Sequence, residues 1–237
     1  MQNLSRIAES HRGAVGQFAE RIQAVAADDV LGWTLFGEIV DGNSDRSWHS
    51  IQSVLMLRTV RVDLLSRLGA AGQQFGGVSV APPLIMTPPL LDSVRDTFPL
   101  ELIEIQQAFL AVFGPDYFSE LQFDERDVRL QCERELDVKL IGLRQGLLAA
   151  SGIKDRLARI QHDWIRGLLR TLRGMLWLKG RKARLPADLV VAELSRVVEL
   201  PLNGIRRILT TANSPDWDTI DELHGDIEAL GVAVDGW

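Results

Sequence analysis

The sequence is poor in the residues that support several kinds of chemistry. Among its 237 residues there is one cysteine, Cys132, and one tyrosine, with only four histidines, four methionines and nine prolines. A single cysteine excludes an intrachain disulfide and a cysteine-based zinc site, and suits a reducing compartment; the expected location is the cytoplasm. The histidines, His11, His49, His162 and His224, are scattered, and no two have metal-ligand spacing. No unbroken apolar run approaches the roughly 20 residues of a membrane span, and Met1 to Glu20 carries charge throughout, so no membrane association is expected.

What is present suffices for a large core. An apolar content of 46% over 237 residues allows one large domain or two small ones. The net charge is −6, but residues 154–184 hold ten Lys or Arg against two acids, which leaves −14 on the remainder. Such a segment either docks on the acidic remainder or forms a surface for anions. Nucleic acid is not an expected partner, because an acidic chain gains little long-range attraction to a polyanion.

Periodicity divides the chain into an α/β part, residues 1–122, and a helical part, residues 123–237. Asn3 or Ser5 is placed to cap an opening helix that runs to about Ala26, with Ile7, Val15, Phe18, Ile22 and Val25 on one side. Strands are predicted at Leu31 to Phe36 and Ile51 to Leu57, followed by a helix from Arg61 to Ala71 and a short strand from Gly77 to Ala81. Thr87 caps a helix over Leu90 to Val94. Phe98, Leu100 and Leu102 alternate, so Phe98 to Val112 reads as two short strands ended by Gly114-Pro115. Asp124 then caps a long helix to about Ala149 with an inward stripe of Val128, Cys132, Leu136, Leu140, Leu143 and Leu147. Further helices follow over Ile153 to Leu178, Pro186 to Val198, Leu202 to Leu209 and Trp217 to Leu230.

The segment Thr34 to Leu57 stands apart: an apolar strand reaches Gly37, a polar turn-rich stretch follows, and a second apolar strand closes it. This is the outline of a strand, phosphate loop and strand. Backbone N–H groups beside a glycine cradle a triphosphate, and carboxylates at alternate positions of the second strand share a face and grip Mg²⁺. Where that arrangement needs Asp-x-Asp, the chain has Ser50-Ile51-Gln52.

Asp92-Ser93, Phe98-Pro99-Leu100-Glu101-Leu102, Phe113-Gly114-Pro115-Asp116, Arg129-Leu130-Gln131-Cys132-Glu133-Arg134-Glu135-Leu136, Lys139-Leu140 and Leu143-Arg144 together resemble bacterial members of the polymerase-beta-like nucleotidyltransferase superfamily. The resemblance spans about Ala19 to Leu148. It implies an α+β fold, a small mixed sheet followed by a helical bundle, and transfer of a nucleoside monophosphate to a hydroxyl. It also implies Gly-Ser after the first strand, Asp-x-Asp on the second and a third carboxylate on a later strand. Residue by residue, Gly37 matches the glycine, Glu38 stands at the serine, and Ser50 and Gln52 stand at the aspartates. Gly77 to Ala81 offers no carboxylate.

Serine and glutamine do not replace charged ligands for Mg²⁺, a hard cation that sheds water reluctantly. Glu38 in a phosphate cradle repels a triphosphate by about a few kcal/mol at intermediate dielectric. The expectation is therefore an inactive relative without a metal or other cofactor that binds a nucleotide, a small molecule or a protein partner. A homo-oligomer formed through the helical half is another expectation. The alternative is an active enzyme that holds Mg²⁺ through displaced carboxylates, namely Asp41, Asp45, Glu101 or Glu104; a third reading is a purely structural interaction module.

Other candidates carry structural alternatives. Asp41-Gly42-Asn43-Ser44-Asp45 opens like a calcium loop, but Arg46 replaces the required glycine and Gln52 the closing glutamate. His49 is a further ligand candidate in the loop. Glu101 and Glu104, on the expected strand, are equally placed for surface ion pairs. Arg166, Arg170 and Arg173 recur at helical spacing and suit either an anion or the acids Glu133, Glu135 and Asp137. Cys132 falls on an apolar stripe, where a buried inert thiol is expected.

Overall fold

The computed structural model describes residues 4–26, 28–41, 51–72, 81–150, 167–210 and 216–237. Helix α1 (Glu9–Ala26) leads into β1 (Val30–Phe36), the short α2 (Glu38–Asp41), β2 (Gln52–Leu57) and α3 (Val62–Gly72). Then come β3 (Leu84–Met86), α4 (Pro88–Ser93), α5 (Pro99–Gln107) and β4 (Phe109–Phe113). Helices α6 (Glu125–Ala150), α7 (helical over 167–178), α8 (Ala187–Val198), α9 (Asn203–Thr210) and α10 (Trp217–Asp235) complete the chain.

The four strands form one mixed sheet in the order β3-β2-β1-β4. Strand β1 is antiparallel to both β2 and β4, whereas β3 runs parallel to β2. Register is set by burial: Trp33 faces Leu55, Leu35 faces Ser53 and Leu35 also faces Leu110, so successive residues alternate between the two faces of the sheet. Trp33, Leu35, Leu55, Leu57, Leu110 and Val112 lie in a core with Val15, Phe18 and Ile22 of α1 and Leu64 of α3. The Phe18 and Trp33 rings pack 5.1 Å apart.

Two compact units result. The first comprises Met1–Arg95 and Glu104–Gln122; the second comprises Asp96–Ile103 and Phe123–Trp237. Asp96–Ile103 thus belongs with the helices, not with the α/β residues 1–122 among which the sequence suggested it. The second unit has its own core, in which Val128, Cys132, Leu136 and Leu143 of α6 meet Leu168, Leu172 and Met175 of α7. Ile220, Leu223, Ile227 and Leu230 of α10 join it. This is the expected inward stripe, with Leu140 and Leu147 partly buried at its edge. The α+β architecture, a small mixed sheet followed by a helical region, is as the sequence indicated.

Two elements differ from the sequence expectation. The third strand is Leu84–Met86, beyond Pro82-Pro83; of the expected Gly77 to Ala81 strand, residues 77–80 lie outside the described residues, and Ala81 donates its N–H to Ile51 O at 3.0 Å. An edge position next to β2 tolerates the preceding prolines, which lack the donors an inner strand needs. Phe98 to Val112 is not two strands but helix α5 followed by β4. Pro99 sits in the first turn, where its missing N–H costs nothing, and Gln131 Oε1 accepts from the next amide, Leu100 N, at 2.8 Å. Leu100, Leu102, Ile103 and Ile105 are all buried, so the helix is apolar on more than one side and imitates a strand's alternation.

Candidate functional site

The site is built around the end of β1. Gly37 adopts φ 83°, a left-handed conformation that explains glycine there, and turns the chain from β1 into α2. Its N–H donates to Ala108 O at 2.9 Å and its carbonyl accepts from Val40 N at 3.0 Å. The Gly37 amide is therefore committed to the adjoining β4 segment, and a phosphate could be cradled only by amides further along. Glu38 is the first residue of α2, half-buried.

Across the ladder, Phe36 is opposite Gln52, the first residue of β2. Because Ile51, Leu55 and Leu57 belong to the core, alternation sends Gln52, Val54 and Met56 to the opposite face, together with Thr34 and Phe36. Gln52 thus stands on the face away from α1. It is neutral. The full strand sequences are Val-Leu-Gly-Trp-Thr-Leu-Phe, Gln-Ser-Val-Leu-Met-Leu, Leu-Ile-Met and Phe-Leu-Ala-Val-Phe, and none contains an aspartate or glutamate. Among the described residues, no three His, Cys, Asp or Glu side chains gather where they could hold a metal ion. Asp45, His49 and Ser50 lie outside the described residues, as does the side chain of Asp41.

Glu101 and Glu104 are on helix α5, not on a strand, which removes the geometry that aimed them at a pocket. Glu101 has definite partners. Its Oε1 accepts from Arg170 Nη1 at 2.8 Å and its Oε2 from Gln131 Nε2 at 2.7 Å. With the Gln131 bond to Leu100 N, this ties α5, α6 and α7 into one polar network within the second unit. Glu104 lies in the first unit and is half-buried.

The row Arg166, Arg170, Arg173 is partly placed. Arg166 lies outside the described residues, Arg170 belongs to the Glu101 network, and Arg173 is buried with Nη2 donating to Leu185 O at 3.3 Å. Of the acids proposed as partners on α6, Glu133 pairs with Arg129 and Glu135 lies 3.8 Å from Lys139 Nζ. Arg170 instead reaches back to α5.

Gln131 and Lys139 entered the sequence reading only as part of the resemblance, with no role assigned to either. Gln131 adjoins Cys132 of the apolar stripe, and that neighbourhood is the one signal that it is a buried clamp. Lys139 is largely buried and lies against Gly167, where an added Cβ would meet Nζ at 2.8 Å. Its ammonium is held below the ordinary lysine range, first by burial and also by Arg170, against the opposing effect of Glu135. Cys132 is fully buried, 3.8 Å from Thr171 O, and burial pushes its thiol up; it is inert.

No family model matches the sequence, and no curated protein matches it. The fold does have a solved counterpart. The crystal structure of spectinomycin adenyltransferase AAD(9) from Enterococcus faecialis, determined with ATP and spectinomycin, is similar with a TM-score of 0.59. The match covers 94% of this chain and 98% of that one, at 12% sequence identity. The chain has the nucleotidyltransferase fold. Within that fold, the strand, glycine and strand at Val30 to Leu57 are the elements that the sequence likened to the phosphate loop, and no helix among the described residues is long and apolar enough to cross a membrane.

Proposed function

We propose that this chain is a catalytically inactive nucleotidyltransferase-fold protein that binds a nucleotide or small molecule, without a divalent cation, and acts by binding. One observation carries the reading: none of the four described strands contains an aspartate or glutamate, and the resemblance puts neutral Gln52 where it implies an aspartate. In a two-metal transfer the ions neutralise phosphate charge and align the attacking oxygen, and each 1.36 kcal/mol of lost stabilisation slows the reaction about tenfold. Neutral Gln52 and Ser50 supply no such charge, and Glu38 adds repulsion at the cradle. The ligand class is supported by the similar structure, which was determined with ATP and spectinomycin. The cytoplasm, where a lone thiol stays reduced, is the proposed location.

Thermal unfolding with ATP, GTP, CTP and UTP, each with and without Mg²⁺ or Mn²⁺, tests this. A ligand at 100 times its dissociation constant adds about 2.7 kcal/mol, and a chain of this size melts roughly 2–4 °C higher per kcal/mol. A metal-independent upward shift supports the proposal. A shift that requires the cation overturns it in favour of an active site using displaced carboxylates such as Asp41 and Asp45. No shift with any nucleotide removes nucleotides as the ligand and turns attention to small molecules and protein partners.

A further inference from the structure

Of the 26 basic residues only four are lysine, Lys139, Lys154, Lys179 and Lys182. A guanidinium does not lose its proton in a protein, whereas an amine moved out of water does and becomes a nucleophile. Lys179 and Lys182 are exposed, and each ammonium lies over a tryptophan ring. Lys139 is different: its side chain is 12% exposed.

Its surroundings come from α6 and α7 of the second unit. Gly167, the first described residue of α7, leaves the room that Nζ occupies, since a Cβ there would stand 2.8 Å from Nζ and 3.7 Å from Cε. The Gly167 carbonyl accepts from Thr171 Oγ1 at 3.1 Å and not from the lysine. Glu135, one turn earlier on α6, holds Oε2 at 3.8 Å from Nζ, within ion-pair range and too far for a hydrogen bond. Among the described residues, Nζ donates no hydrogen bond. Burial lowers the ammonium and Glu135 opposes this, while Arg170 of α7, itself paired with Glu101 of α5, lowers it further. An ammonium with three donors, little water and no acceptor is costly to keep charged. The same arrangement suits a neutral amine with a carboxylate at hand to move protons.

We propose that Lys139 is a nucleophilic amine that takes an aldehyde or ketone as an imine, with Glu135 as the proton carrier. The amine nitrogen attacks the carbonyl carbon as the C=O π pair moves to oxygen. Glu135 takes a proton from nitrogen and passes it to that oxygen, a second proton comes from solvent, and water leaves as C=N forms. No oxidant or reductant is needed. The iminium keeps the positive charge that Glu135 faces, and this selects a carbonyl compound over an acyl donor. An acyl group would make a neutral amide and leave Glu135 beside Arg134 alone, 3.8 Å away.

Reaction of the full chain with glycolaldehyde and sodium cyanoborohydride, which reduces an imine to a stable secondary amine, tests this by peptide mass mapping. At neutral pH Lys139 should be alkylated at least about tenfold faster than Lys179 and Lys182, because each unit by which an ammonium is lowered raises its neutral fraction about tenfold. The lead should vanish in the urea-unfolded chain and shrink as pH rises into the ordinary lysine range. Glu135→Gln should slow Lys139 by at least about tenfold, although removal of the carboxylate charge favours the neutral amine, and should leave Lys179 and Lys182 unchanged. Alkylation of Lys179 or Lys182 ahead of Lys139 in the folded chain overturns the proposal, as does a lead that Glu135→Gln leaves intact. Circular dichroism checks that the variant folds, and the ranking of lysines in the parent decides the matter even where it does not.

Discussion

The sheet unit and the helical unit treat charge in opposite ways. In the sheet unit the four described strands form a mixed sheet and hold no aspartate or glutamate. The helical unit abounds in charge, and its buried members answer one another: Glu101 takes Arg170 and Gln131, and Arg173 donates to a backbone carbonyl. The contrast separates scaffold from chemistry. A sheet's register depends on which residues face the core, so polar positions on its other face can lose their charge without disturbing the fold, whereas a half-buried ion pair between helices cannot lose one partner cheaply.

Glycine substitutions break the two units most severely. Gly114 has φ 85°, and an added Cβ would run into the Leu31 carbonyl and the Gly32 Cα. Gly204 in α9 lies against the backbone of Leu223. Gly114→Ala and Gly204→Ala should each cost roughly 3 kcal/mol or more. Amide hydrogen exchange localises the damage: protection should fall first in β1 and β4 for the former and in α9 and α10 for the latter. Uniform loss across both units in either variant would contradict their separation.

A smaller effect is expected at the polar network. With Arg170 and Glu101 side chains 30% and 26% exposed, screening reduces the pair to about 1–2 kcal/mol, lost in Glu101→Gln or Arg170→Met and non-additive in the double variant. Urea unfolding measures it. Unchanged stability together with lost ligand binding would return Glu101 to the list of binding residues.

The smallest effect concerns pH. Asp226 Oδ2 accepts from Ile205 N at 2.9 Å at the start of α9, and burial raises its carboxyl above the ordinary range, against the lowering by the Ile205 and Gly204 amides. A carboxyl raised in the folded state binds its proton more tightly there, so stability is highest below the unfolded value and falls as pH rises through the folded one. Asp226→Asn should remove that part of the slope. A parent and variant with identical stability profiles above the ordinary carboxylate range would contradict the assignment.

Legibility in the sequence followed burial geometry. Helix α6 was readable from Asp124, whose Oδ1 accepts from Arg126 N at 2.8 Å, and from a one-sided stripe. Thr87 was readable as a cap, accepting from Leu90 N at 3.2 Å. Strands β1 and β2 were readable because turn residues bound them. Helix α5 was not, since burial of Leu100, Leu102, Ile103 and Ile105 erases the helical period, and the acids it carries, Glu101 and Glu104, were consequently put on a strand. Gly37 was legible as the glycine that ends β1, while the capture of its amide by Ala108 was not, because that bond joins residues 71 apart in the chain.

The proposal that this nucleotidyltransferase-fold chain binds without a divalent cation is tested most directly by calorimetric titration of Mn²⁺ into the parent chain and into the Ser50→Asp, Gln52→Asp variant. The account predicts no binding to the parent and a new site in the variant, where two carboxylates at alternate positions share one face. Binding of equal affinity in both would show that other groups already hold the cation, and would contradict it.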